Sequence, residues 1–147
     1  MVIEVRVLDP SEVELVGDGL GLARLHQGNG FYLVAWDGNA PAGHLHLALV
    51  DPPELQDVQV AADHRRCGVA TALIGAAENE AMSRGYDCMR VSFTLGNEAA
   101  QSLYGSCGYA EAGLEPRHVQ GPIRTRTGTI QVDEILITWE KSLHDQH

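Results

Sequence analysis

Apolar positions follow two rhythms along this chain, a period of two near both ends and a period close to that of a helix in the middle. In VIEVRVL, Ile3, Val5 and Val7 alternate with Val2, Glu4 and Arg6. Alternate side chains then face opposite sides, the mark of a strand. Asp9-Pro10-Ser11 follows and signals a helix start, so a first helix is predicted that ends before Gly28. Residues 31–50 hold two β-rich runs around Asp37-Gly38-Asn39. Asp-Gly between such runs predicts a hairpin of the second and third strands. Asp51-Pro52-Pro53 interrupts the pattern, because proline has no donor and restricts the residue before it. ELQDVQVAA then reads as a fourth strand.

The second rhythm begins at Val69, with Leu73, Ala77 and Ala81 at four-residue spacing and Ala70, Ile74 and Ala76 widening the stripe. This is an amphipathic helix, and Gly85 suits its left-handed cap. Residues 88–93 read as a buried strand by composition. Asn97 caps a short helix through Tyr104, which Gly105 and Gly108 break. The last clear strand is IQVDEILITWEKSL. Between them, residues 114–128 are polar and rich in Gly, Pro and Arg, a long loop or a ragged hairpin, and a further short strand fits between Tyr109 and Leu114. The order β, α, β, β, β, α, β, α, β implies an α/β or α+β domain, residues 1–147, with a mixed sheet and helices on its faces.

Charge narrows the function. With 10 Lys+Arg against 20 Asp+Glu among 147 residues, the formal net charge is -10. Nucleic acid and anionic membrane are disfavoured, and cationic ligands are favoured. No apolar run nears the roughly 18 residues that span a bilayer, and MVIEVRVLDP lacks the basic-then-apolar order of a signal peptide. A soluble, cytoplasmic protein is expected. Cys67, Cys88 and Cys107 are odd in number and lack CxxC spacing, so neither a disulfide framework nor a zinc site is indicated. His44 and His46 alternate onto one face of the third strand, a metal pair or a base near a ligand. Without a third ligand, no metal is expected.

The stretch RRCGVATAL joins two arginines to a glycine and a helix start. Backbone N–H groups there have no partner within the helix, and with the helix dipole they form an anion site. Gly68 leaves the backbone open, Ala70 is nearly as small, and Arg65 and Arg66 can donate to phosphate oxygens. No Gly-Lys-Ser/Thr follows, which excludes a Walker loop.

VQVAADHRRCGVATALI resembles the acetyl-CoA-binding segment of the GNAT superfamily of N-acetyltransferases, Gln/Arg-x-x-Gly-x-Gly/Ala after a strand. Arg65, Gly68 and Ala70 fill its three positions. NEAAQSLYGSCGYAEAG resembles the family's second segment through Asn97, Tyr104, Gly108 and Tyr109. The resemblance covers residues 54–113 well and the remainder only in layout. It implies a mixed, mostly antiparallel sheet splayed between the fourth and fifth strands. The pantetheine of acetyl-CoA would lie in that gap beside Val58 and Val60. Backbone N–H groups of Arg66, Cys67, Gly68, Val69, Ala70 and Thr71 would hold the pyrophosphate, with Arg65 opening the loop and Asn97 near the pantetheine. Ala62 stands where many members have Pro, and Arg66 and Ala70 replace common glycines. These departures bear on affinity and leave the anion site in place.

By the same resemblance Tyr104 is the general acid, since an ordinary tyrosine pKa near about 10 keeps it protonated at neutral pH. Its other reading is a core tyrosine sharing a helix face with Ala100. Glu54 falls where some relatives carry a glutamate base. Asp57 or a water chain are its rivals, and a solvated carboxylate is the plain alternative. Cys67 beside arginine at a helix start invites a nucleophile, but no fixed base partner is visible. Arg117, His118, Arg124 and Arg126 form a basic patch that reads as solvated, or as contacting an anionic part of the acceptor or a dimer partner. The resulting expectation is a GNAT-like N-acetyltransferase, direct transfer in a ternary complex, and an amine acceptor that is a cationic small molecule or a peptide or protein amine. The alternative is a non-catalytic acyl-CoA-binding regulatory module, and a homodimer is carried by resemblance alone.

Overall fold

The computed structural model describes residues 2–25, 28–65 and 68–143. Its strands are β1 (Ile3–Val7), β2 (Gly30–Asp37), β3 (Ala40–Ala48), β4 (Glu54–Val60), β5 (Cys88–Thr94), β6 (Ala110–Glu111), β7 (Arg117–Thr125) and β8 (Gly128–Ser142). Helices α1 (Val13–Leu20), α2 (Val69–Ser83) and α3 (Glu98–Ser106) connect them. One sheet runs β1-β2-β3-β4-β5-β8-β6, with β7 paired to β8. Every pairing is antiparallel except β4 with β5. The protein is therefore a mixed α/β fold, and α2 is the crossover between its two parallel strands.

The alternation read from the sequence assigns the faces. Val16 and Leu22 pack on Tyr32, Val34 and Trp36 on one side. On the other, Leu33, Leu45 and Leu47 meet Val69, Leu73 and Ala77 of α2, and the same cluster reaches Phe93, Tyr104 and Trp139. Gly43 lets α2 approach: a Cβ there would stand 2.7 Å from Gln59 O and 3.0 Å from Val69 Cγ1. The helix start expected at Asp9-Pro10-Ser11 is a short 3-10 turn, Pro10–Glu12, closed by a capping box between Asp9 and Glu12; α1 follows and stops at Leu20, before Gly21 at φ 92°. Helix α3 runs through Gly105 to Ser106 rather than stopping at Tyr104. A helical glycine costs only about 1 kcal/mol, and the true stop is Gly108 at φ 98°.

Of the two readings of the 114–128 segment, the hairpin holds and the long loop does not: Arg117–Thr125 is the strand β7, joined by a turn to β8. β7 pairs with β8 from Arg117↔Leu136 to Thr125↔Gly128. Pro122 is tolerated because β7 is an edge strand. Among the described residues, no helix is long and apolar enough to cross a membrane, and no three His, Cys, Asp or Glu side chains gather as a metal site.

Candidate active site

β4 carries the distortion on which the site is built. His44 pairs with Gln59 and His46 with Gln56, so Asp57 and Val58 together face the single residue between the histidines. This is a β-bulge, which bends the strand, and Asp57 takes φ 49° there. Pairing with β5 is confined to Glu54↔Arg90 and Leu55↔Val91. Beyond Leu55 the two strands part, and the β5-facing edge of β4 is left without a strand partner. A cleft of about 1280 Å³ occupies the gap, lined by Glu54 through Val60, Ser92 to Thr94, Asn97, Tyr104 and Arg65 among others.

Asp57 is held in its uncommon conformation by long-range bonds. The Tyr32 hydroxyl donates to Asp57 Oδ2 at 2.6 Å and the Ala23 N–H donates to the same oxygen at 3.1 Å. Burial, reinforced by that carboxylate, pushes the Tyr32 hydroxyl well above its ordinary value, so it stays a donor. Beneath the bulge, His44 Nδ1 lies 3.0 Å from Asp57 O and Nε2 2.8 Å from Leu20 O. His46 Nδ1 lies 3.0 Å from Gln56 Oε1, and burial holds its imidazole below the usual histidine range. The two histidines do share a face, as their spacing predicts. They are buried polar struts for the bulge, with His44 occupied at both nitrogens.

Tyr104 comes from the other wall. Its ring stacks on Phe93 with centroids 5.6 Å apart, yet its hydroxyl makes no hydrogen bond to the described residues. Burial raises its pKa to about 12. Glu54 lines the cleft at the start of β4, half-buried and without an ion-pair partner among the described residues. The Asn97 carboxamide accepts from Ala100 N–H at 3.1 Å, so it caps α3 while bordering the cleft.

At the opposite end, Val60, Arg65, Gly68, Val69, Ala70 and Thr71 line an adjoining recess of about 210 Å³. Gly68 is the N-cap of α2 at φ 77°, with no side-chain cap. The helix ladder starts with Ala72 N–H to Gly68 O at 3.0 Å. The N–H groups of Val69, Ala70 and Thr71 therefore precede the first rung and remain available to an anion. A Cβ on Gly68 would meet nothing within 4 Å, so the space in front of this helix start is open. Arg66 and Cys67, expected to share this site, lie outside the described residues.

The basic patch of the late segment is dispersed by the alternation of β7. Arg117, Val119 and Ile123 line the cleft, whereas His118 turns to Asp133. Arg126, in the turn after β7, latches the hairpin to the α1–β2 loop. Its N–H donates to Ala23 O at 3.2 Å and its Nε donates to Gly21 O at 2.9 Å. Gly17 makes room for the guanidinium, since a Cβ there would stand 2.6 Å from Nη2. That loop also carries Arg24, whose N–H donates to the Tyr32 hydroxyl oxygen at 2.7 Å. Sequence reasoning missed Tyr32, Arg24 and Gln56, and no local motif marks them.

A splayed parallel pair, a tyrosine hydroxyl and, at one end of the gap, an uncapped helix start thus border one cleft and its adjoining recess. The Acetyltransferase (GNAT) family pattern matches residues 6–109, and the chain belongs to that family. Among solved structures it is similar to the ribosomal-protein-S18-alanine N-acetyltransferase of Escherichia coli, 18 % identical over 97 % of this chain and 94 % of that one, with TM-score 0.74. It is also similar to a GNAT family acetyltransferase of Elizabethkingia anophelis with acetyl-CoA bound, 18 % identical over 95 % and 97 %, TM-score 0.69. A third is the spermidine/spermine N-acetyltransferase SpeG of Vibrio cholerae, 17 % identical over 96 % and 92 %, TM-score 0.67. At these identities the likeness is one of fold. A search of the curated proteins gives no match.

Proposed function

We propose that the protein is an acetyl-CoA-dependent N-acetyltransferase that moves the acetyl group directly to an amine within a ternary complex. The observation that carries this reading is the Tyr104 hydroxyl, which borders the same cleft as the bared edge of β4 and makes no hydrogen bond to the described residues. Acetyl-CoA, when bound, supplies an acyl carbon activated as a thioester. The open β4 edge at Val58 and Val60 suits an amide-bearing pantetheine arm, and the N–H groups of Gly68, Val69, Ala70 and Thr71, with Arg65, suit the pyrophosphate. Asn97 borders the arm as the cap of α3. Glu54 receives the amine proton, directly or through water. The C–N bond forms, the C–S bond breaks, and Tyr104 donates to the departing sulfur. The acceptor bears an amine that is protonated in solution, and its ammonium group suits the acidic balance of the chain.

Calorimetric titration with acetyl-CoA, with ATP as control, followed by an amine panel read by thiol release, tests this. Selective acetyl-CoA binding together with amine-dependent release is expected. Selective binding with no release across the panel would identify a non-catalytic acyl-CoA-binding module instead.

A further inference from the structure

We propose that the acceptor carries a carboxylate in addition to its amine, and that Arg24, aided by Arg117 in the same cleft, receives that carboxylate. This rests on the acetyl-transfer reading above. The argument starts from how the other cations are used. Arg6 is bound to Glu12 at 2.9 Å through both terminal nitrogens, and Lys141 to Glu78 at 3.0 Å. Arg90 pairs with Glu140, Arg84 with Glu80, and Arg126 serves the hairpin latch. Arg24, Arg117 and Arg124 have no carboxylate partner among the described residues, although the chain holds twice as many acids as bases, and of these three Arg24 and Arg117 line the cleft. Arg24 is moreover half-buried, and a partly desolvated guanidinium without a counter-ion is costly unless a ligand completes it.

Its place in the cleft indicates which ligand. Ala23, beside it, is tied to Asp57 at the bulge. The backbone of Arg24 is tied to Tyr32, and its charge is felt by Tyr32 and His46. Arg24 thus stands over the bulge, whereas the recess at the start of α2 does not include it. The coenzyme's phosphates are served there, so the anion that completes Arg24 belongs to the acceptor. Glu54 and Glu134 line the same cleft. They suit an ammonium group, and they would repel a dianionic phosphate more than a singly charged carboxylate. Both signs together describe an amino acid-like acceptor.

The test measures kcat/KM for pairs sharing a carbon skeleton, leucine with isoamylamine and phenylalanine with phenethylamine, and adds O-phosphoethanolamine as a dianionic probe. For at least one pair the amino acid is expected to exceed its amine by about 10- to 100-fold, the worth of a hydrogen-bonded charge pair. In R24M that ratio falls toward one, chiefly through KM, while R24K retains part of it. Acetyl-CoA titration verifies that R24M is folded, and Arg24→Gln replaces it if it is not. Amines that match their amino acids, a preference for O-phosphoethanolamine, or an equal loss for both members in R24M would each overturn the assignment and leave acetyl transfer standing. Absence of thiol release from every acceptor, in a chain that binds acetyl-CoA, removes both readings.

Discussion

Replacing Tyr104 by phenylalanine separates catalysis from packing, because the structure gives the ring neighbours and the hydroxyl no hydrogen-bond partner among the described residues. The ring contacts to Phe93 and Tyr109 survive the change. The lost oxygen has no protein partner among the described residues, so folding stability is expected to stay level or rise slightly. The effect on turnover follows from acidity. A hydroxyl at about 12 facing a thiol of about 8.5 would transfer its proton uphill by about 3.5 units, or about 5 kcal/mol. Its contribution is then a hydrogen bond to a sulfur that gains charge, worth about 1.5–3 kcal/mol. That corresponds to a loss in kcat of about 10- to 150-fold, with acetyl-CoA affinity nearly unchanged. Single-turnover thiol release, thermal melts and calorimetry on Y104F provide the three readings. A kcat within about twofold of the parent would remove Tyr104 from the reaction, and a loss near about 10⁴-fold would show complete proton transfer.

G68V places a branched side chain at φ 77° and in the open space before α2; strain of about 1–2 kcal/mol and a rise of roughly tenfold or more in the KM for acetyl-CoA are expected, and an unaltered KM would move the pyrophosphate elsewhere. E54Q removes the proposed base, so kcat/KM should fall by about 10²-fold or more; a kcat/KM within about twofold of the parent would assign deprotonation to another group. His64 lies 2.9 Å from both Asp37 and Asp63, and its hydrogen bond to Asp37 leads the causes that raise its pKa. Its protonated form is favoured by folding, so its stabilisation is complete below the ordinary histidine value of about 6.5 and disappears as pH climbs through the raised folded value. The gap in melting temperature between the parent and H64Q should therefore narrow with rising pH, and a gap constant from pH 5.5 to 8.5 would contradict the bridge.

What was legible in the sequence is what local patterning controls. Alternation placed β1, the Asp-Gly turn placed β2 and β3, and four-residue spacing placed α2. Gly68 and Asn97 were readable as helix starts because capping is a short-range matter. The bulge was not readable: Asp57 is held by Tyr32 and Ala23, 25 and 34 residues away, and a strand sequence carries no sign of a partner that distant. β7 was obscured by Gly121 and Pro122, residues that suggest a loop until the strand is known to be an edge. Arg126 read as one member of a basic patch, whereas it bonds to carbonyls whose position no charge count could supply. The family resemblance singled out Tyr104 and Glu54 as candidates, and the structure adds that both line one cleft.

The latch of Arg126 on Gly21 joins residues 105 positions apart, which gives the cleft a place in time as well as in space. Contacts of such sequence separation are reached late, after the sheet that carries them has organised. The meeting of the hairpin tip with the loop after α1 is thus expected to be a late step in folding. The same two hydrogen bonds are few enough to open without unfolding the sheet. In hydrogen exchange, the Arg126 amide would report that opening well before the amides of β3 or β5.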